Sequence, residues 1–467
     1  MNKLIKNFLY LVKEKSSRIA IVGDCMLDEF FMVDTTRISP EAPIPVLKSK
    51  SFEPEISIPG GAGNLFVQLR NFNVEVNLYG FLDGQCKKQY AEVNNECYYL
   101  PSPYMIPRKR RFFQGRFPLC RLDIESDKYG MNNEDLSLAI SKVMSAVDES
   151  TFQPEVVVFS DYDKGVFSSN DNVWINKFKD DVITIVDPKH GPLDKWKGCD
   201  IFKPNKIEAK KLSGLSIWQE QCDYFQKQLG CVAVVITHGG DGVFGKVGNK
   251  YFNYCSKKKI FCENVCGAGD CFVAFLALAI SHSIDIIDAI KIAYETASIY
   301  VQKKHNKPVH PYELLALDDP IKAKFVSREF LSNRDFNLTL TNGCFDWLHS
   351  GHLKLLHESS RMGKLVVALN SDESVSRLKG DSRPLVPLEE RMKMVAALEC
   401  VDYVVSFEED TPYEIIKEIR PNVLVKGGDY KKEDVVGADL VEKLCIIPLE
   451  EGISTSNKIE DFKSKLS

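Results

Sequence analysis

Two α/β domains in tandem, the first with a small β lid, are what this sequence predicts, and three observations lead there. The chain has 467 residues, more than one typical domain. Short apolar runs rich in Val and Ile alternate with helical patterns, which predicts parallel sheets covered on both faces. A charged stretch without strand signal, "LALDDPIKAKFVSREFLSNRD" (315–335), divides this rhythm into two series. The expected organisation is a first domain over 1–316, a linker, partly helical, over 317–334, and a second domain over 335–467.

In the first series the strands are "RIAIVGD" (18–24), "EVVVFSDY" (155–162), "VITIVDPK" (182–189), "CDIFKPN" (199–205) and "VAVVITHGG" (232–240). Two segments break the pattern: 43–61 and 107–123 alternate like exposed antiparallel strands and are expected to form the lid. The second series runs "NLTLTNG" (337–343), "KLVVALNSD" (364–372), "VDYVVSFEED" (401–410), "NVLVKGGD" (422–429) and "KLCIIPLE" (443–450), five strands that fit one doubly wound domain.

Composition narrows the function classes. Apolar residues make up 44 % and charged residues 27 %, and the net charge is −5, so no global electrostatic attraction to nucleic acid exists. The fourteen cysteines are scattered without C-x-x-C or zinc spacing, as in a protein of reduced thiols. No run approaches 18 apolar residues, and the N-terminal helical pattern is broken by lysines, so a cytoplasmic protein with no membrane or nucleic-acid partner is expected.

Two stretches carry chemistry. In "TNGCFDWLHSGH" (341–352), Gly343 and Gly351 allow close backbone approach to a phosphate at a helix start. His349 and His352 can point to one side and stabilise charge on an attacked α-phosphate. A lone His-x-x-His would more often be a helix cap and a packed ring. In "ENVCGAGDCFVAF" (263–275), Gly267, Ala268 and Gly269 precede an apolar helix and can surround an anion with amides. Asp270, in its first turn, can take the proton of a hydroxyl that attacks a γ-phosphate. By itself the tetrapeptide fits a tight turn equally well.

The second stretch of the chain resembles the cytidylyltransferase-like nucleotidyltransferases, whose T-x-G-x-F-D-x-x-H-x-G-H pattern is matched from Thr341 to His352. That resemblance implies a Rossmann-like α/β domain. It also implies nucleotide contacts from Thr341, Gly343, Phe345, Asp372, Arg391, Gly427 and the Ser454, Thr455, Ser456 run. His349, His352 and Lys379, the last on a glycine-flanked loop closing onto the β- and γ-phosphates, would be catalytic. One departure is that Leu449-Glu450 stands where many relatives have Arg-Thr.

The first 310 residues resemble the ribokinase-like, PfkB-type sugar kinases. The resemblance rests on "GAGD" (267–270), "PGGAGN" (59–64), "GDCMLD" (23–28), "KPNKIEAK" (203–210) and "ITHGGDGVFG" (236–245). It implies Asp270 as catalytic base and sugar contacts from Asp24, Asp28, Gly60, Gly61 and Asn64. It further implies nucleotide-side contacts from Thr237, Gly267, Ala268 and Gly269, and Asn205 and Glu208 holding Mg²⁺ through water. More narrowly, "RISPEAPIPV" (37–46), "SDYDKG" (160–165) and "DPK" (187–189) resemble the bifunctional heptose enzymes of lipopolysaccharide synthesis. These phosphorylate D-glycero-β-D-manno-heptose 7-phosphate and then adenylylate heptose 1-phosphate, with ATP and Mg²⁺. On that resemblance Arg37 and a basic group from "PRKRR" would bind the 7-phosphate, the plainer reading of the basic run being a solvated lid strand. A homodimer through the lid is expected.

Asn264, Cys266 and Cys271 depart from the Asp-x-Thr-Gly-Ala-Gly-Asp-Thr pattern usual in the kinases. The competing reading is therefore an active nucleotidyltransferase, with ATP or CTP as donor, joined to a kinase-like binding or dimerisation module without turnover.

Overall fold

The computed structural model describes residues 2–448 apart from 36, 50, 92–96, 116, 169–171, 179–181, 257–261, 263–264, 304–306, 318, 333, 335 and 429–430. The chain divides into two compact units, Met1–Pro311 and Tyr312–Ser467.

The first unit is built on a nine-stranded sheet. From one edge its strands are Lys250–Tyr254, Val243–Val247, Ala233–Thr237, Ile201–Phe202, Ile183–Asp187, Val156–Ser160, Ser17–Gly23, Val74–Leu82 and Tyr98–Tyr99. All pairings are parallel except the two at the 250–254 edge. The central strands are buried on both faces, which is why they read as unbroken Val/Ile runs rather than alternating ones. The helix Ala268–Ser281 is apolar on every side and buried from Asp270 onward, so it acts as a core element against the sheet.

The lid is a second, five-stranded sheet of Cys25–Asp34, Lys48–Ser49, Ile56–Gly61, Arg108–Gln114 and Phe117–Ile124. Segments 43–61 and 107–123 enter it as expected. Its central strand, Cys25–Asp34, follows directly on the first strand of the main sheet and was not among the expected strands. Asp28 and Glu29 are buried within it, and Arg108, Arg110 and Arg111 of the neighbouring strand neutralise them.

The second unit holds a five-stranded parallel sheet in the order Tyr403–Phe407, Lys364–Asn370, Leu338–Gly343, Val423–Gly427, Lys443–Ile447. The order reverses between Leu338–Gly343 and Val423–Gly427, and the crevice beyond the carboxyl ends of such strands is where ligands bind. The 312–334 segment packs on this unit: Phe325 bridges Val404, and Tyr312 and Phe330 pack edge-on against Tyr403. Among the described residues no helix is long and apolar enough to cross a membrane. Among the described residues no cysteine forms a disulfide.

Candidate active sites

In the first unit a cleft of about 440 Å³ opens at the carboxyl ends of the central strands, with Asp187, Lys203, Asn205, Glu208, Thr237 and the 267–270 turn among its walls. Gly267 caps the Ala268–Ser281 helix in the left-handed region (φ 78°), a conformation that glycine adopts without strain. The Ala268 amide donates to the Val265 carbonyl (3.3 Å), while the amides of Gly269 and Asp270, in the first turn, have no intrahelical acceptor and can face an anion. Tyr300 fixes the turn from behind, its phenol donating to the Cys266 carbonyl (2.9 Å).

Asp270 is buried within the first helical turn. Its carboxylate accepts from Asn64 Nδ2 (2.8 Å) and from the Tyr162 phenol (2.5 Å). Burial pushes its pKa up to about 6, against the opposing pull of those two donors; the Asp187 carboxylate adds to the rise and the Lys203 ammonium offsets it. Lys203 and Asp187 form a buried ion pair of 2.7 Å beside it. A base near neutrality, in a cleft lined by amides and an ammonium, suits deprotonation of a hydroxyl.

Several expected contacts take other roles here. Asn64, expected at a sugar hydroxyl, donates to Asp270 and accepts from Gln68 Nε2 (3.1 Å). Both oxygens of Asp24 are committed to the protein: they accept from the Tyr129 phenol (2.7 Å) and from the amides of Tyr162, Lys164 and Val166. Asp24 thus holds the 162–166 loop. Asp28 is paired with Arg111 (2.5 Å), whose other nitrogen reaches Cys266 Sγ (2.8 Å). Gly60 packs against Asp28, and Gly61, at φ 58°, against the Asp24 carbonyl; a Cβ would lie 2.7 and 2.4 Å from them.

The basic run corrects the solvated-strand reading: Arg108 pairs with Glu29 and Asp83, Arg110 with Glu29. Arg37 lies on an exposed loop. Asn205 and Glu208 form a capping box on the Lys206–Ser213 helix. Asn205 Oδ1 accepts from the amides of Ile207 and Glu208, while Glu208 accepts from the Asn205 amide and pairs with Lys189. Asn264 lies outside the described residues.

In the second unit Thr341 and Gly343 end the strand Leu338–Gly343, and His349 caps the Ser350–Ser360 helix. The two imidazoles stack with centroids 3.8 Å apart, and His352 also packs on the Phe345 ring (5.0 Å). Burial, then His349 and Lys379, depress His352 to about 4, so it is neutral and can donate one N–H. Thr341 Oγ1 and Asn342 Oδ1 are buried with no hydrogen-bond partner among the described residues, at the strand end where a ligand would arrive.

Arg391, expected at the nucleotide, is fully buried and occupied. It donates to the carbonyls of Val386 (2.9 Å), Cys344 (2.7 Å) and Asn370 (2.9 Å), and to Asp372 (2.6 Å). It therefore clasps two strand ends and leaves Asp372 only partly open. Lys379 is not in a loop: it ends the Asp372–Lys379 helix, which Ser371 caps and Gly380 terminates. Gly427 closes its strand against Leu355. Ser454, Thr455, Ser456 and the Leu449-Glu450 departure lie outside the described residues.

Sequence reasoning assigned no role to Tyr162, Lys203, Asp346 or Lys426. Asp346 holds the 383–386 segment through Arg383 (2.6 Å) and the amides of Leu385 and Val386. Burial pushes Lys426, at the carboxyl end of Val423–Gly427, down to about 8. Asp346 is a fixed position of the T-x-G-x-F-D pattern, and Tyr162 and Lys203 lie inside the "SDYDKG" and "KPNKIEAK" runs, so these three carried a signal.

Fold and sites define a two-domain transferase, a sugar kinase followed by a nucleotidyltransferase. Residues 166–309 match the pfkB family of carbohydrate kinases and residues 340–455 the cytidylyltransferase-like family. The first unit resembles the crystal structure of phosphofructokinase-2 from Escherichia coli, with a TM-score of 0.52 at 14 % identity, covering 64 % of this chain and 98 % of that one. The whole chain is 33 % identical to the Bifunctional protein HldE of Campylobacter jejuni, covering 98 % of this chain and all of that protein. It is also 33 % identical to the HldE of a Nitratiruptor species, covering 96 % and 99 %. The chain belongs to the HldE family of bifunctional proteins.

Proposed function

We propose that the first unit phosphorylates D-glycero-β-D-manno-heptose 7-phosphate at O1 with ATP, and that the second transfers AMP from ATP to heptose 1-phosphate, releasing pyrophosphate. The observation that carries this reading is a pair of helix starts with different partners: a buried carboxylate at the first, two stacked imidazoles at the second. In the first, Asp270 takes the proton of the anomeric hydroxyl as its oxygen attacks the γ-phosphorus and ADP leaves. The amides of Gly269 and Asp270 and the Lys203 ammonium face the charge on the transferred group. In the second, the sugar 1-phosphate oxygen displaces pyrophosphate from the α-phosphorus, and His349 and His352 donate to the charge that builds there. No protein nucleophile is needed.

Direct metal ligation by Asn205 and Glu208 does not fit, because their oxygens cap a helix and pair with Lys189. Asn205 and Glu208 would hold Mg²⁺ through water, and the ion would supply neutralisation of the nucleotide phosphates. With three lid arginines neutralised, Lys109 and Arg37 remain the candidates for the 7-phosphate. Homodimerisation through the lid is supported by its outer strand Phe117–Ile124, which exposes Phe117 and Leu122. The site is cytoplasmic in this reading.

The test supplies the full-length protein with heptose 7-phosphate and ATP, then with a panel of sugar 1-phosphates and each NTP. ADP formation that Asp270→Asn abolishes, and pyrophosphate release specific to heptose 1-phosphate and ATP, are expected. Equal ADP formation by wild type and Asp270→Asn, or pyrophosphate release with CTP alone, overturns the respective half.

A further inference from the structure

Tyr162 lies between the lid and the catalytic base. Its phenol donates to Asp270 Oδ1, while Lys109 of the lid strand Arg108–Gln114 sits 5.2 Å from its ring centroid. Its amide is held by Asp24, so the backbone of the residue is fixed and the ring is the part that can move. Asp270 Oδ2 is occupied by Asn64. Each carboxylate oxygen thus already accepts one hydrogen bond, and the phenol occupies the Tyr162 side of Oδ1, where an incoming hydroxyl has to compete with it.

We propose that Tyr162 is a positioning residue that blocks the base against water, and that the acceptor hydroxyl of the sugar displaces its phenol from Asp270. The inference rests on the kinase reading of the cleft. A sugar phosphate anchored at several points presents its hydroxyl at high effective concentration and outcompetes the phenol, whereas a water molecule does not. On displacement, the proton of the sugar hydroxyl passes to Asp270 Oδ1, the sugar oxygen bonds to the γ-phosphorus, and the bond to ADP breaks. The phenol stays protonated throughout: burial and the Asp270 carboxylate push its pKa well up. Lys109, stacked on the same ring, ties the position of this cap to the lid. A substrate phosphate that draws Lys109 away would loosen the cap as the sugar arrives.

The charged and titratable groups facing Asp270 are Tyr162, the Asp187–Lys203 pair from the neighbouring strand ends, and Tyr300 from the helix Ile286–Tyr300. Among them the Tyr162 hydrogen bond stabilises the ionised base, so its loss raises the pH at which the base becomes protonated.

The test uses full-length wild type and Tyr162→Phe. Wild type must first phosphorylate the sugar; if it does not, the kinase reading fails and not this inference. With that established, Tyr162→Phe is expected to raise sugar-independent ATP hydrolysis about tenfold. It is also expected to move the acid limb of the kcat/KM profile for phosphorylation up by about one pH unit. Unchanged hydrolysis with an unmoved acid limb overturns the proposal. Should Tyr162→Phe fail to fold, 3-fluorotyrosine at position 162 keeps the shape and strengthens the donor; the acid limb then moves down, and an unmoved limb overturns the proposal.

Discussion

A methyl group placed on Gly267 would lie 2.6 Å from the Asn64 amide nitrogen, so the glycine and the asparagine fit one another with no space between them. The same methyl would meet the Tyr300 hydroxyl at 2.5 Å. Gly267→Ala therefore combines a left-handed φ with two clashes against the groups that set this helix start and Asp270. Sugar phosphorylation is expected to fall by about 100-fold, since small displacements at a phosphoryl-transfer site have effects of that order. Pyrophosphate release by the second unit should stay at the wild-type rate, which a coupled assay on the same sample checks.

Asp270→Asn should lower sugar phosphorylation by about 10²- to 10⁴-fold, the range of general-base catalysis. In the unsubstituted protein the carboxylate is protonated below about 6, where burial has placed its pKa. The phosphorylation rate is thus expected to rise through that pH and level off above it. A profile flat from pH 5 to 8 would remove Asp270 from the role of base.

For the nucleotidyltransferase, His352→Ala is expected to lower kcat by orders of magnitude with a modest change in KM, because its hydrogen bond strengthens only as charge develops on phosphorus. A stability effect accompanies it. Folded His352 has its pKa lowered to about 4, against about 6.5 unfolded, so the unfolded chain binds the extra proton first. Its contribution is complete above pH 6.5 and is lost as pH falls toward 4. His352→Gln should flatten that part of the thermal-stability profile of the second unit.

Arg391→Met removes a buried guanidinium that joins Cys344, Asn370, Val386 and Asp372. Leaving Asp372 and three carbonyls without their donor is expected to destabilise the second unit by about 3–5 kcal/mol. Calorimetry should show its transition moving down, and the transition of the first unit staying in place.

The strands of both units were legible because a sheet covered on two faces requires continuous apolar runs, and "VVVFS" or "LVVALN" have no other plausible use. The glycine-rich helix start at 267–269 stood out for a related reason: a left-handed turn ahead of an apolar helix favours glycine. The lid strand Cys25–Asp34 was not, because its Asp28 and Glu29 contradict a buried strand until Arg111, Arg108 and Arg110 arrive from a segment far along the chain. Asn64 shows the same limit. Its place in "PGGAGN" marked it as functional, but its partner Asp270 is 206 positions away. Arg391 was expected at the nucleotide from its helix; only the folded chain brings three carbonyls around it.

The capping box of Asn205 and Glu208 has a consequence for anyone altering it. One pair of side chains both caps a helix and borders the cleft, so a substitution there acts on both at once. An inactive Glu208 variant would be mute about chemistry until the start of that helix had been shown intact.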